Sequence, residues 1–261
     1  MSYETVAQEL ERYIRPDTFP LAIRVLKPGE PVPAKAKRPE RDLGTRLSVC
    51  QAVGMARRYG WTLAVGAADQ SCPIAQTVFG YAPLIPYYEQ GNLAAGMYCE
   101  TLEAGAKAEA AIPKLGPGEA GTILVGPLRR ADFEPEVVVV YANSAQVMRL
   151  AAGALFAKGG TLPATASPRA DCADMIIGTR RDGEAKVILP CYGDRVFGLT
   201  QDHEMCFSIP FHRLDELLRG LEGTERGGVR YPIPVNLKVE AEFPPKYQQL
   251  AAMWKETGSK P

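Results

Sequence analysis

Six cysteines in a chain with only two histidines are the residues whose chemistry asks first for an explanation. Four of them stand in distinctive settings. Cys72 lies in "DQSCPIA" (69–75), a polar loop where proline follows the thiol directly, and Cys191 lies in "ILPCYGDRVFG" (188–198), where proline precedes it. Cys50 sits in "LSVCQAV" and Cys172 in "RADCAD". Thiolates are soft ligands suited to iron–sulfur clusters, zinc and copper(I), and four of them complete an all-cysteine shell. A proline beside the thiol stiffens the loop and removes one backbone N–H, as in the Cys-Pro of ferredoxin-type cluster loops. The four positions lie 22, 100 and 19 residues apart. No C-x-x-C pattern has that spacing, so only the fold could gather them. Free cysteine also packs as a small hydrophobe and is among the most buried residue types. That plainer reading suits Cys99, in the apolar "GMYC", and Cys206, which alternates within "MCFSIPF".

Other chemistries find less support. His203 and His212 form no H-E-x-x-H pair, which argues against a zinc hydrolase. The chain has no G-x-G-x-x-G opening a helix after a strand, no P-loop and no G-x-S-x-G elbow. Asp194 beside Arg195 in "YGDRVFG" reads as an ion pair locking a tight turn. Together with Ser71, the two are also candidates for hydrogen bonds around a bound cofactor. Cys72 at a helix start could act as a nucleophile of lowered pKa, but no histidine is placed by sequence to be its base. The tyrosine-rich stretch "GYAPLIPYYEQGNLAAGMY" (80–98) allows either a small-ligand pocket or ordinary surface packing.

These residues need a framework, and the composition supplies one. The 261 residues are 46% hydrophobic and 23% charged, enough to bury a core without disulfide staples. Thirty Lys and Arg balance thirty Asp and Glu. With no basic excess or stripe, nucleic-acid binding is not expected, and "PAKAKRPERD" (33–42) reads as a solvated loop. Charges interrupt every apolar stretch of "MSYETVAQELERYIRPD", unlike a signal peptide, and no run reaches the ~18 apolar residues of a membrane span. The expectation is a cytoplasmic protein whose thiols stay reduced.

Periodicity then places the elements. "SYETVAQELERYI" predicts an amphipathic helix capped by Ser2, "PLAIRVL" a strand, and "GTRLSVCQAVGMARRYG" a helix that turns Cys50 inward and ends at Gly60. "WTLAV" predicts a strand before the Cys72 loop, with a helix starting after Pro73. A helix is expected near "LEAGAKAEAAI". "GTILVGPL" and "PEVVVVYAN" read as strands, the second buried on both faces. Asn143 or Ser144 caps a helix expected to close at Gly159 and Gly160, and a shorter helix covers part of "SPRADCADMIIGTR". "AKVILPC" and "MCFSIPF" follow as strands, then "HRLDELLRGLEG" and "PPKYQQLAAMWKE" as helices, with "VRYPIPVNLKVEAEFPP" extended between them. The alternation predicts an α/β or α+β fold, a mixed sheet flanked by helices. Residues 1–225 should form one compact domain, with 226–261 an extended segment and helix packing on it.

The blocks "LSVCQAV", "DQSCPIA", "GPLRRADFEPEVVVVYANSAQVMRL" and "CYGDRVFG…DHEMCFSIPF" together resemble a largely uncharacterised archaeal and bacterial family, domain of unknown function 169. The resemblance runs from about residue 5 to about residue 222. It implies recurring cysteines at the positions of Cys50, Cys72, Cys172 and Cys191, and none at Cys99 or Cys206. "CPIAQ" departs from it, since many relatives are richer in glycine after the Cys-Pro. The resulting expectation is a [4Fe–4S] cluster on these four cysteines, with Asp194, Arg195 and Ser71 around it. Its role would be electron transfer, redox sensing or a cluster-assisted reaction, with a redox partner protein or a small molecule as partner, and homo-oligomer formation compatible with it. Structural zinc in the same shell and a metal-free ligand-binding protein are the alternatives.

Overall fold

The computed structural model describes residues 2–233 and 243–257. Among these residues seven strands form one sheet: β1 (Leu21–Leu26), β2 (Leu63–Gly66), β3 (Thr122–Pro127), β4 (Val137–Asn143), β5 (Ala164–Thr165), β6 (Lys186–Ile188) and β7 (Glu204–Pro210). Their spatial order is β2-β3-β1-β4-β7-β6-β5. Every neighbouring pair is antiparallel except β5 with β6, so the sheet is mixed. β4 pairs with β1 on one side and β7 on the other, and its residues from Val137 to Ala142 are all buried. An uninterrupted apolar strand is what a central position requires.

The helices are α1 (Tyr3–Ile14), α2 (Pro39–Leu43), α3 (Val49–Tyr59), α4 (Pro73–Val78), α5 (Pro86–Glu89), α6 (Leu102–Ala111), α7 (Ser144–Leu155), α8 (Asp171–Ala173), α9 (Thr179–Asp182), α10 (Tyr192–Phe197), α11 (Leu214–Arg226) and α12 (Pro245–Glu256). Ser2 caps α1 by accepting from the Thr5 N–H, as its position predicts. Ser48 and Gln51 close a capping box at the start of α3, and Gly60 ends it at φ 72°, a left-handed turn suited to glycine. Asn143 and Gln146 make the same box for α7. That helix stops at Leu155, short of Gly159 and Gly160, because the chain turns through residues 156–158 first.

Two-residue alternation along the strands sends side chains to two cores. Leu21, Ile23 and Val25 of β1, Val137, Val139 and Tyr141 of β4, and Cys206 of β7 meet α3, α4 and the 171–182 segment on one face. Ala22, Val138, Val140, Phe207 and Ile209 meet α1, α7 and α11 on the other. The result is helices, sheet, helices, the α/β arrangement that the alternation of elements implies. Periodicity misses α2, α5 and α10, each of six residues or fewer. The segment expected as one short helix is longer: α8 runs through a π-turn, Asp174–Gly178, into α9. α12 forms as expected and its residues are all solvent-exposed, whereas positions 234–242 of the expected extended stretch lie outside the described residues.

On the second face α7 and α11 pack so closely that a Cβ built on Gly220 would collide with the Gly153 carbonyl. Gly220→Ala therefore forces the helices apart and should cost about 1–3 kcal/mol. A urea midpoint equal to that of the parent would show that the contact gives way freely.

Candidate functional site

The first face carries the cysteines, and local hydrogen bonding explains how they meet. The segment entering α3 is zipped to the Cys72 loop: the Leu47 N–H donates to the Asp69 carbonyl at 2.9 Å and the Ser71 N–H to the Leu47 carbonyl at 3.0 Å. Cys50 lies three residues beyond one end of this zipper and Cys72 one beyond the other. Gln70, fully buried, accepts the Cys72 N–H at 2.9 Å and leaves its amide nitrogen without a partner among the described residues. Its own carbonyl takes the Arg46 guanidinium and the Gln76 amide.

The C-terminal pair is held in another way. Asp171 begins α8 and accepts the Cys191 N–H at 3.2 Å, so the residue before one thiol grips the backbone of the next. The Ser208 hydroxyl donates to the Met175 carbonyl at 2.7 Å, pinning the π-turn after Cys172 onto β7. Such single π-turns recur at functional sites. The two pairs meet through glycines. A Cβ on Gly54, one turn after Cys50, would stand 2.7 Å from the Gly198 carbonyl at the end of α10, the helix that Cys191 opens. Only residues without side chains permit that approach.

Cys50, Cys172 and Cys191 are buried and Cys72 is half-buried. The neighbouring Cys172 thiol raises the Cys50 thiol well above its ordinary pKa, with Cys191 opposing and burial adding. Cys172 is drawn down by Cys50, but burial, Asp171, Cys191 and Cys72 outweigh this and bring it to about 11. Cys191 is raised, by Cys50 first and by burial second. The four thiols predicted from context are therefore one another's electrostatic neighbours, Cys72 through Cys172. Among the described residues, no group of three or more His, Cys, Asp or Glu side chains is placed to hold a metal ion. Cys99 lies half-buried in its own turn, and Cys206 is fully buried on β7 opposite Tyr141, a core residue as expected.

A buried polar network backs the thiols. Asp194 accepts from the Tyr141 hydroxyl at 3.0 Å and the Thr200 hydroxyl at 2.8 Å. Arg57 donates to Thr200 at 3.0 Å and to both Glu204 oxygens at 2.5 and 3.0 Å, with its guanidinium 4.1 Å from the Tyr141 ring centroid. Asp171 and Asp194 each keep one oxygen without a partner among the described residues. Burial raises both carboxyls, and for Asp171 the charge of Asp194 adds to it. Two acids facing each other in low dielectric share a proton more readily than they both ionise.

Of the residues expected beside a cofactor, Asp194 is buried in this network. Arg195 does not pair with it; its guanidinium bonds the Gln201 carbonyl at 2.8 Å, because α10 points the two side chains apart. The turn is held by Thr200 and Tyr141 instead. Ser71 contributes its backbone to the zipper and leaves its side chain exposed. Sequence reading missed Asp171, Arg57, Tyr141, Thr200 and Glu204. Only Asp171, abutting Cys172, had a visible signal. The tyrosine-rich stretch is divided: Tyr81 bonds the Val65 carbonyl at 3.1 Å, Tyr88 is buried and Tyr87 is exposed. Clefts of about 530 Å³ beside Arg24 and Phe133 and about 430 Å³ beside Thr18 and Arg58 have no cysteine in their walls.

Two outcomes follow for the metal-free chain. Iodoacetamide at neutral pH should modify Cys72 and Cys99 first, leaving Cys50, Cys172, Cys191 and Cys206 protonated and protected; mass spectrometry of peptides reads the order, and early labelling of Cys172 contradicts it. Glu204→Gln should destabilise by about 3–5 kcal/mol in chemical denaturation, since it strands the buried Arg57 charge.

No curated protein matches the chain. No solved structure matches it either. A family model does, over residues 9–220, under the description DUF169, Uncharacterised ArCR. That span holds the seven strands of the described residues together with Cys50, Cys72, Cys172 and Cys191, and on it the chain belongs to the DUF169 family.

Proposed function

We propose that the chain binds an iron–sulfur cluster, of the [4Fe–4S] type, through Cys50, Cys72, Cys172 and Cys191. One observation carries this reading: thiols as far apart in sequence as Cys50 and Cys191 are brought to one face of the sheet by the Leu47–Ser71 zipper, the Asp171–Cys191 hydrogen bond and the close approach of Gly54 to Gly198, and Cys50, Cys172 and Cys191 perturb one another there. Packing alone gives little reason to crowd sulfur atoms from distant segments of the chain. Metal coordination supplies one, because it deprotonates the thiols and spreads their charge.

Four thiolates are a donor set that suits a cluster, and a single zinc ion accepts the same set. When bound, a cluster would supply one-electron redox chemistry. This chain's own part would be to exclude water with the apolar first face, to hold Cys191 by Asp171, and to offer the free Gln70 amide N–H beside Cys72. Hydrogen bonds to sulfur of that kind set the potential. Electron transfer, redox sensing or a cluster-assisted reaction on a small molecule are the roles such a centre serves.

Anaerobic purification with a visible spectrum and assays of iron, zinc and acid-labile sulfide tests the reading. Broad visible absorption, bleached by dithionite, with iron and sulfide in equal amounts is expected. Serine at Cys50, Cys172 or Cys191 should abolish it, and serine at Cys99 or Cys206 should leave it. Stoichiometric zinc in a colourless protein would replace the cluster with a structural ion. A chain that takes up no metal after reconstitution would overturn both and leave the thiols as neutral packing.

A further inference from the structure

The segment that carries Cys191 also carries a concentration of exposed apolar side chains. Leu189 is 46% exposed, Tyr192 63%, Val196 46%, Phe197 57% and Leu199 58%, all within eleven residues. Between them Asp194 is buried, and the half-exposed Arg195 turns its guanidinium to the Gln201 carbonyl. Leu199 stands out further, with φ 54°. A left-handed backbone is costly for a branched, bulky residue and persists where surrounding contacts enforce it. Here Arg58 and Gln201 both bond the Leu199 carbonyl, at 2.9 and 3.0 Å, so the chain is held in a conformation that presents a leucine to water.

We propose that this face, Leu189 to Leu199, pairs with the same face of a second copy of the chain about a twofold axis. Such an axis asks only that a patch match itself, which an apolar surface does. Five large side chains, each about half exposed, offer roughly 500 Å² on one copy, given the ~150–250 Å² that a large aromatic buries. Two copies reach about 1,000 Å², the level at which specific interfaces begin, and the polar rim adds to it. Since Cys191 lies between Leu189 and Tyr192, the pairing sets the two thiol sites of the dimer facing the common axis. The inference does not depend on what the thiols bind.

The competing surface is α12, whose Tyr247, Leu250 and Trp254 are 63%, 47% and 44% exposed at helical spacing. Sedimentation velocity on the full chain, over a range of concentrations, distinguishes the two. The parent and Leu250→Glu should sediment as dimers, and Tyr192→Glu should sediment as a monomer with an unchanged circular dichroism spectrum. Leu199→Gly removes the side chain together with its backbone cost, so the fold should not suffer while the dimer dissociates about tenfold more readily. A monomeric parent would overturn the proposal. So would a dimer untouched by Tyr192→Glu and Leu199→Gly, or one that Leu250→Glu breaks.

Discussion

The Arg57 guanidinium is wholly buried, and its charge is met by both oxygens of Glu204 and by the Thr200 hydroxyl. Taking such an ion out of water costs several kcal/mol, recovered only when its geometry and hydrogen bonds are complete. Arg57 lies on the helix of Cys50, Glu204 on the last strand, and Thr200 in the loop that follows the helix of Cys191. Satisfying this one cation therefore fixes three separate pieces of chain against each other. Thr200 in turn orients Asp194, and Asp171 orients Cys191. The thiols stand at the far end of this chain of obligations.

The apolar side of the site serves the same end by different means. Gly54 and Gly198 let backbone approach backbone where any side chain would intervene, and the Ser208 hydroxyl ties down a helix that departs from regular winding right after Cys172. Directional bonds are strong here because little water competes with them. Each is local, yet together they decide how closely sulfur can approach sulfur.

Much of this was legible before any coordinates. Caps such as Ser2 and Asn143 act over three residues, so their signal is local and the helices they start are found where the sequence puts them. β4 announced its central position by its unbroken valines. Context also marked Cys206 as a residue of the core. What stayed hidden depends on contacts across the fold. Arg57 and Glu204 are 147 residues apart and look like ordinary surface charges in sequence. α10 is too short for periodicity to register, and its helical winding, which points Asp194 and Arg195 apart, is why their expected partnership gave way to Thr200 and Tyr141. The π-turn is invisible because no residue type demands it.

The strand order has a consequence for how the molecule is made. β2, β3 and β1 form one flank of the sheet, and β4, β7, β6 and β5 the other. Cys50 and Cys72 belong to the first and Cys172 and Cys191 to the second. A ribosome adds residues one after another, so a nascent chain displays the first two thiols for the time it takes to make another hundred residues. Contacts so distant in sequence form late and slowly. During that interval the growing chain carries these two thiols, and Cys99 with them, without their later counterparts, and its sensitivity to oxidants then differs from that of the finished protein.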